Sequence, residues 1–451
     1  MASVHQTRAP DWSASAASGR EASNLRVYAA VALGYLLLMP MQFYMNIGGS
    51  VIPPYRIFLI ISSLFAIREI ARGQVRLGWA DTAIIIAVIW ICLAMSITST
   101  ADEALTASIA HITDIGFSYF FARAAFRNLR DVRMFLLLLL PGIFSLGLIL
   151  VIEAVTHQHI IQGAAAAITG SGVDYRSAPR LGLMRAQGPF PHPISAGIFL
   201  SSFLPLYWLA GFKGWVRFAG AFAAICSFAT VSSATLLSLV AAIGLLVYNW
   251  LSSLIANLTW RLLFVVIALV TFTLELGTGS GVFGTFVRFA SLNMASSYNR
   301  VLIWRYGTQN VEQNPWFGIG YADWDRPIWM VASIDHYWLL TAMRFGLPAS
   351  VLIGLATLLG ILLVVKKSMT STGEDQRCER GLAIAMAVFA LGLISVSVWA
   401  SAQVWYFTML GMVVSAGSAA RLSSHPTTRA GSQAPAEGRR HAQQTGHSPL
   451  R

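Results

Sequence analysis

The chain has 451 residues, of which 56% are hydrophobic and 11% charged, with a mean hydropathy of +0.63. That balance excludes a water-soluble domain and defines a polytopic membrane protein. The net charge of +12 is no nucleic-acid signature, because the basic residues are dispersed over many short loops, as the positive-inside rule produces.

Residues 1–24 are polar, contain Pro10 and mixed charge, and read as a disordered tail. No basic, apolar and small-residue sequence precedes residue 25, so the first span is expected to be an uncleaved anchor. Twelve apolar stretches follow, at 25–45, 51–67, 79–99, 104–122, 134–156, 194–212, 216–231, 233–250, 262–276, 337–365, 381–399 and 401–420. Most have the roughly 17 to 25 residues that carry a helix across about 30 Å of hydrocarbon. Only Val231-Ser232-Ser233 separates 216–231 from 233–250. The Gly346-Leu347-Pro348 break within 337–365 predicts a short helix ahead of the true span. Residues 421–451, rich in Ser, Thr, Gly, Pro, Gln and His, read as a second disordered tail. The expected organisation is an all-α membrane domain at 25–420 with both termini on one side.

Alternate loops then separate by charge. One side holds Arg56, Arg176, Arg180, Arg185, Arg288, Arg300, Arg305, Arg326 and Arg344; the other holds the remaining 22 of the 31 basic residues, all the lysines included. The richer side is expected to be cytoplasmic, and so are both tails. Arginine outnumbers lysine throughout, so an outer set without lysine decides little. Location decides more: most of the outer arginines lie in the only two long outer segments, 157–193 and 277–336, and long loops usually carry function.

Other motifs carry less. Gly279-Ser280-Gly281-Val282-Phe283-Gly284 fits a nucleotide-binding glycine pattern but follows a membrane span rather than a strand. His157, His159 and His192 have no carboxylate or cysteine completing a metal set, which favours interfacial histidines. Cys92 and Cys226 lie in apolar runs and Cys378 in a polar loop, giving no disulfide framework. His111 and Asp114, at i and i+3 within the fourth span, share a helix face and are either a functional intramembrane pair or a lock between helices.

Within the two long loops stand Arg185-Ala186-Gln187-Gly188-Pro189-Phe190-Pro191-His192-Pro193, then Asn299-Arg300 with Trp304, then Asn314-Pro315-Trp316-Phe317-Gly318-Ile319-Gly320, then Asp335-His336-Tyr337-Trp338-Leu339 and Arg344-Phe345-Gly346-Leu347. In order, spacing and outer placement these resemble the bacterial O-antigen ligase and polysaccharide polymerase family, over roughly residues 180–365 in motifs and the whole chain in topology. The resemblance implies a GT-C-like glycosyltransferase of the bacterial inner membrane. Its donor is a glycan on undecaprenyl pyrophosphate, its acceptor a sugar hydroxyl, and arginines stabilise the departing pyrophosphate without a metal or other cofactor. A chain-length regulator is an expected partner.

Arg185 and Arg300 match the family's loop arginines. Arg305, about 140° further round a helix from Arg300, is a weaker candidate for the same phosphate, and Arg180 has no counterpart and is expected to tolerate lysine. Phe190, Pro191, Pro193, Asn314-Pro315, Gly318 and Gly320 read as structural. The departure from the ligase pattern is at Asp335-His336, where the ligase has His-Asn. Either Asp335 is the general base, or His336 is with Asp335 beside it, or the base lies elsewhere; the purely structural reading has Asp335 cap the helix while His336 packs. The departure favours a polymerase of exopolysaccharide, capsule or O-antigen over a ligase to lipid A core. A transporter or flippase, the reading from another class, would more often show internal repeats, and none is evident.

Overall fold

The computed structural model describes residues 12–47, 50–172, 179–255, 257–277, 285 and 294–418. Arg176, Arg288 and the glycine motif at 279–284 lie outside them, as does the tail from 421. By contacts, residues 1–419 form one unit and 420–451 a second; only the first is described.

The first unit is an all-α assembly. Helix α1 is Trp12–Leu37, beginning inside the stretch expected to be a tail. A short hairpin of β1 (Met45–Ile47) and β2 (Ser50–Ile52) leads into α2 (Pro54–Ala71) and α3 (Trp79–Thr98). Then come α4 (Ala101–His111), a π-turn at Ile112–Phe117, α5 (Ser118–Ala125), α6 (Leu129–Thr156) and α7 (Ile160–Thr169). The sixth expected span is two helices, α8 (Pro193–Ser201) and α9 (Phe203–Leu209), and the seventh is α10 (Gly214–Ile225) prolonged by a 3-10 turn to Thr230. After α11 (Ser233–Leu254), α12 (Trp260–Gly277) and α13 (Met294–Gln313), the predicted short helix is α14 (Tyr337–Phe345), and the true span behind it is α15 (Leu347–Ser368). Last come α16 (Gly373–Gly392) and α17 (Ala400–Ser418). Five helices, α3, α6, α11, α12 and α15, are each long and apolar enough to cross a membrane.

Two expected spans are corrected: the first, 25–45, is helical only to Leu37, with Met45–Ile47 in a strand, and the eleventh, 381–399, also ends early. Helical structure stops near Gly392 rather than at 399. Ile394-Ser395-Val396-Ser397-Val398 alternates β-branched residues with serine, a poor helix sequence, and the carbonyls of Leu393 and Val396 accept from the Tyr337 amide instead.

The core forms round α17, buried from Ala400 to Ala416. Trp405 stacks on Phe203 at 4.7 Å and donates Nε1 to Ser202 Oγ at 2.9 Å. Small residues let the backbones close up, as is usual between membrane helices: a Cβ on Gly411 would meet the Tyr119 carbonyl at 2.4 Å. By contrast, α12 has no buried residue, as expected of an apolar helix facing lipid.

The loops meet in two clusters of contacts. At one, Arg123 lies buried against Asp81 (Nε–Oδ1 2.7 Å) and donates to the Arg76 carbonyl, while Arg133 reaches Asp375 at 2.7 Å and the Ala210 carbonyl at 2.8 Å. The other holds described residues of the two long segments. The expected orientation puts the first cluster on the cytoplasmic side and the second outside. In a chain with Cys92, Cys226 and Cys378 replaced, single cysteines at the exposed positions Arg130 and Glu374 are expected to label with an impermeant maleimide from one side of the membrane, and cysteines at Gly182 and Ala322 from the other. Labelling of all four from one side would contradict this arrangement.

Candidate active site

The first loop is tied down by its backbone. Arg180 and Leu183 exchange both amide hydrogen bonds (2.9 and 3.0 Å) around Leu181 and Gly182, both at positive φ (54° and 74°), the pattern of a tight two-residue hairpin. Beyond it, Glu153 near the end of α6 is fully buried. One carboxylate oxygen accepts from the amides of Gln187 (3.1 Å) and Gly188 (2.9 Å), the other from Ile161 (3.2 Å). Gln162 of α7 donates to the carbonyls of Gly188 and Phe190 at 3.0 Å each. Arg180 and Arg185 thus project from a backbone with little freedom.

In the second loop α13 supplies Arg300. Its buried residues include Ser297, Arg300, Ile303, Gly307 and Asn310, a helical stripe, whereas Arg305 is exposed on another face. The 314–320 motif packs against the α14–α15 junction. Ile319 and Gly320 donate to the carbonyls of Met343 (2.8 Å) and Arg344 (3.0 Å), and Leu347 donates to that of Pro315 (2.8 Å). A Cβ on Gly346 would strike the Trp316 carbonyl at 1.7 Å, and one on Gly318 the Met343 carbonyl at 2.4 Å; both glycines also sit at positive φ. Trp90 clasps the seam, donating to the carbonyls of Trp316 and Phe345 at 3.1 Å each.

These elements enclose a cavity of about 260 Å³ walled by Arg180, Arg185, Arg300, His192 and Asp335, with Ser333, Ser397 and Trp399 among the others. Two of the three arginine candidates, Arg185 and Arg300, meet there with Asp335; Arg305 does not. Arg180, expected to be a bystander, is in the wall. Sequence reasoning also missed Trp399, because its segment was taken as membrane span, and Glu153, although an acid at the end of an apolar run was a signal.

The positions of Asp335 and His336 correct the structural reading in which Asp335 caps the helix while His336 merely packs. The helix cap is His336: its Nδ1 accepts from the Leu339 amide at 3.1 Å, and its ring lies 5.1 Å from that of Trp304. Burial pushes His336 down to about 4, so near neutral pH it is an uncharged cap. Asp335, one residue earlier in extended chain, points the other way, into the cavity. His192 is a second cap, its Nδ1 accepting from the Ile194 amide at 3.2 Å, and burial together with Arg185 and Arg180 holds it near 4. With Nδ1 accepting, the ring proton sits on Nε2. His159 lies instead 4.0 Å from Glu153, so the three histidines do not converge.

Electrostatically the cavity is short of negative charge. Burial raises the Asp335 carboxyl above the usual range, opposed by Arg300 and Arg185. Burial, then Arg180, pushes Arg185 down to about 10, with Asp335 opposing, and burial also lowers Arg300. Arg185 Nε is buried with no hydrogen-bond partner among the described residues. Among the described residues lining the cavity, three guanidinium groups accompany one carboxylate, a set suited to an anion.

The intramembrane pair separates. Asp114 is locked by Arg56 (2.9 and 2.6 Å), whereas His111 Nε2 lies 3.0 Å from the Tyr321 hydroxyl.

No protein-family model matches the chain, and no curated protein is significantly similar to it.

The Glu153 contacts generate a prediction. In Glu153→Gln one amide position must present N–H groups to backbone N–H groups, leaving buried donors unmatched at a cost of about 1–3 kcal/mol. Expected are a lowered melting temperature and faster proteolysis at 180–190 in the purified variant; wild-type values for both would contradict the tie.

Proposed function

We propose that the protein is a polymerase of a surface polysaccharide, transferring a glycan from undecaprenyl pyrophosphate to a sugar hydroxyl of the acceptor glycan. The observation that carries the reading is the cavity in which arginines from two loops more than a hundred residues apart face a single carboxylate. In this reading the chain crosses a bacterial inner membrane twelve times in a GT-C-like arrangement. Both termini are cytoplasmic, the cavity opens to the periplasm, and a chain-length regulator is the natural partner.

The chemistry follows from the wall. Arg185, Arg300 and Arg180 grip the pyrophosphate as planar forks, each able to meet two oxygens. Asp335 takes the proton from the acceptor hydroxyl as its oxygen attacks the anomeric carbon. The bond from that carbon to the phosphate oxygen breaks with its electron pair leaving on oxygen, and the new charge grows where the guanidinium groups already point. A raised Asp335 pKa suits a base that must bind a proton during the step. The uncharged His192 offers an Nε2–H to a phosphate or sugar oxygen, and His336 holds the start of α14.

Deletion of the gene followed by analysis of lipid-linked intermediates tests the function. Single repeat units accumulating on the outer side are expected. Long chains on the lipid carrier would instead indicate a ligase to lipid A core, and repeat units trapped inside a flippase.

The residue roles make three expectations. Asp335→Asn abolishes polymer at normal protein level, while His336→Asn, which keeps a cap acceptor, retains polymer; the reverse would move the base to His336. Arg185→Lys and Arg180→Lys each lower transfer roughly 10- to 150-fold, the loss of one charge-assisted contact of about 1.5–3 kcal/mol, while Arg305→Lys is near wild type. Because the Asp335 pKa is raised, its base form exists only above that raised value. Transfer is therefore expected to fall on acidification at a pH above the ordinary carboxylate value of about 4, and a pH–rate profile flat down to that value would contradict Asp335 as base.

A further inference from the structure

A second cavity, of about 500 Å³, lies beside the first and shares Ser333, Ser397 and Trp399 with it. Its volume is that of a small-molecule site, a range of about 300–1,000 Å³. Aromatic side chains line it at Tyr321, Trp324 and Trp399, and polar ones at Arg344, His111 and Gln403. Tyr321 is fixed from two sides, by the His111 contact at 3.0 Å and by the Arg344 guanidinium 4.9 Å above its ring. The backbone that carries both residues is pinned by the 319–320 pairing with 343–344.

Arg344 is the unmatched charge of this cavity. Asp323, the carboxylate among the described lining residues, already pairs with Arg326, and Asp114, three residues from His111, pairs with Arg56. Among the described residues no carboxylate pairs with Arg344. A single guanidinium among aromatic faces differs from the three-arginine cavity next door. It fits one monoanionic group on a ring whose C–H faces are apolar, rather than a pyrophosphate.

We propose that this second cavity is an acceptor subsite for a sugar bearing a carboxylate, a uronic acid residue of the growing glycan. Arg344 holds the carboxylate, and the exposed rings of Tyr321 and Trp399 receive the pyranose faces, with the buried Trp324 closing the wall behind them. The shared wall at Ser333, Ser397 and Trp399 lets the same chain continue toward Asp335. The proposal rests on the glycosyl-transfer reading for the identity of the neighbouring reaction, but the binding itself requires no turnover. A phosphate, free or on a lipid headgroup, is the competing source of negative charge.

The test is equilibrium binding to the full-length protein in nanodiscs, followed by tryptophan fluorescence. The probes are a galacturonate tetrasaccharide, a glucuronate-containing tetrasaccharide, the methyl ester of the first, and neutral maltotetraose. At least one acidic probe is expected to bind, its uncharged counterparts about tenfold or more weakly, with no displacement by inorganic phosphate. Arg344→Gln is expected to remove the preference for the acid and Arg344→Lys to restore part of it. Asp335→Asn, which stops transfer, still binds the acidic probe, so failure of the catalytic reading and failure of the subsite are separable. Failure of both acidic probes to bind, equal binding of ester and acid to wild type, or displacement by phosphate would each overturn the proposal. The wild-type comparisons stand even if an Arg344 variant does not fold.

Discussion

The buried carboxylate of Glu153 is the constraint on which the rest of the site depends. A carboxylate with no access to water is tolerable only if its lone pairs are satisfied, and here the backbone amides of Gln187, Gly188 and Ile161 satisfy them. The price is a loop that must return to the same place on α6 in every molecule. Arg185 lies two residues before the first of those amides, so an interaction made for solvation also sets the position of a cation. With its backbone fixed and its side chain buried, Arg185 has fewer conformations left to lose on meeting an anion, as the proposed role requires.

The second loop reaches the same cavity by different means. There the constraint is steric: Gly318 and Gly346 allow two backbones to approach more closely than any Cβ would permit, and Trp90 donates to both strands of the seam. Once that seam is closed, α14 starts at a fixed point, His336 caps it and Asp335 faces the arginines. The caps at His192 and His336 have a common logic. Each spends its Nδ1 on a helix amide, burial keeps each uncharged, and positive charge in the cavity is left to the arginines.

Much of this was legible in the sequence, for reasons specific to each residue. Apolar runs located the helices because hydrocarbon thickness fixes their length, and Gly346-Leu347-Pro348 marked the break between α14 and α15. The helical period placed Arg305 away from Arg300, and the turn residues of the 314–320 motif announced a shaped loop. The span at 381–399 was misjudged because composition registers the apolarity of Ile394 to Trp399 but not the turns that end the helix there and leave the Leu393 and Val396 carbonyls to accept from the Tyr337 amide. Arg180 was passed over since nothing in a linear sequence shows that a two-residue hairpin turns it into the cavity. The choice between Asp335 and His336 needed the cap geometry, because a shift of one residue reverses which side chain points inward.

The most direct measurement of the central claim is reconstitution in proteoliposomes with isotopically labelled repeat units on undecaprenyl pyrophosphate. The account predicts that glycan chains lengthen while free undecaprenyl pyrophosphate appears, one lipid released for each bond formed, and that Arg300→Gln stops both together without changing the amount of protein inserted. Chain growth that proceeds undiminished with Arg300→Gln, or without release of the lipid pyrophosphate, would contradict it.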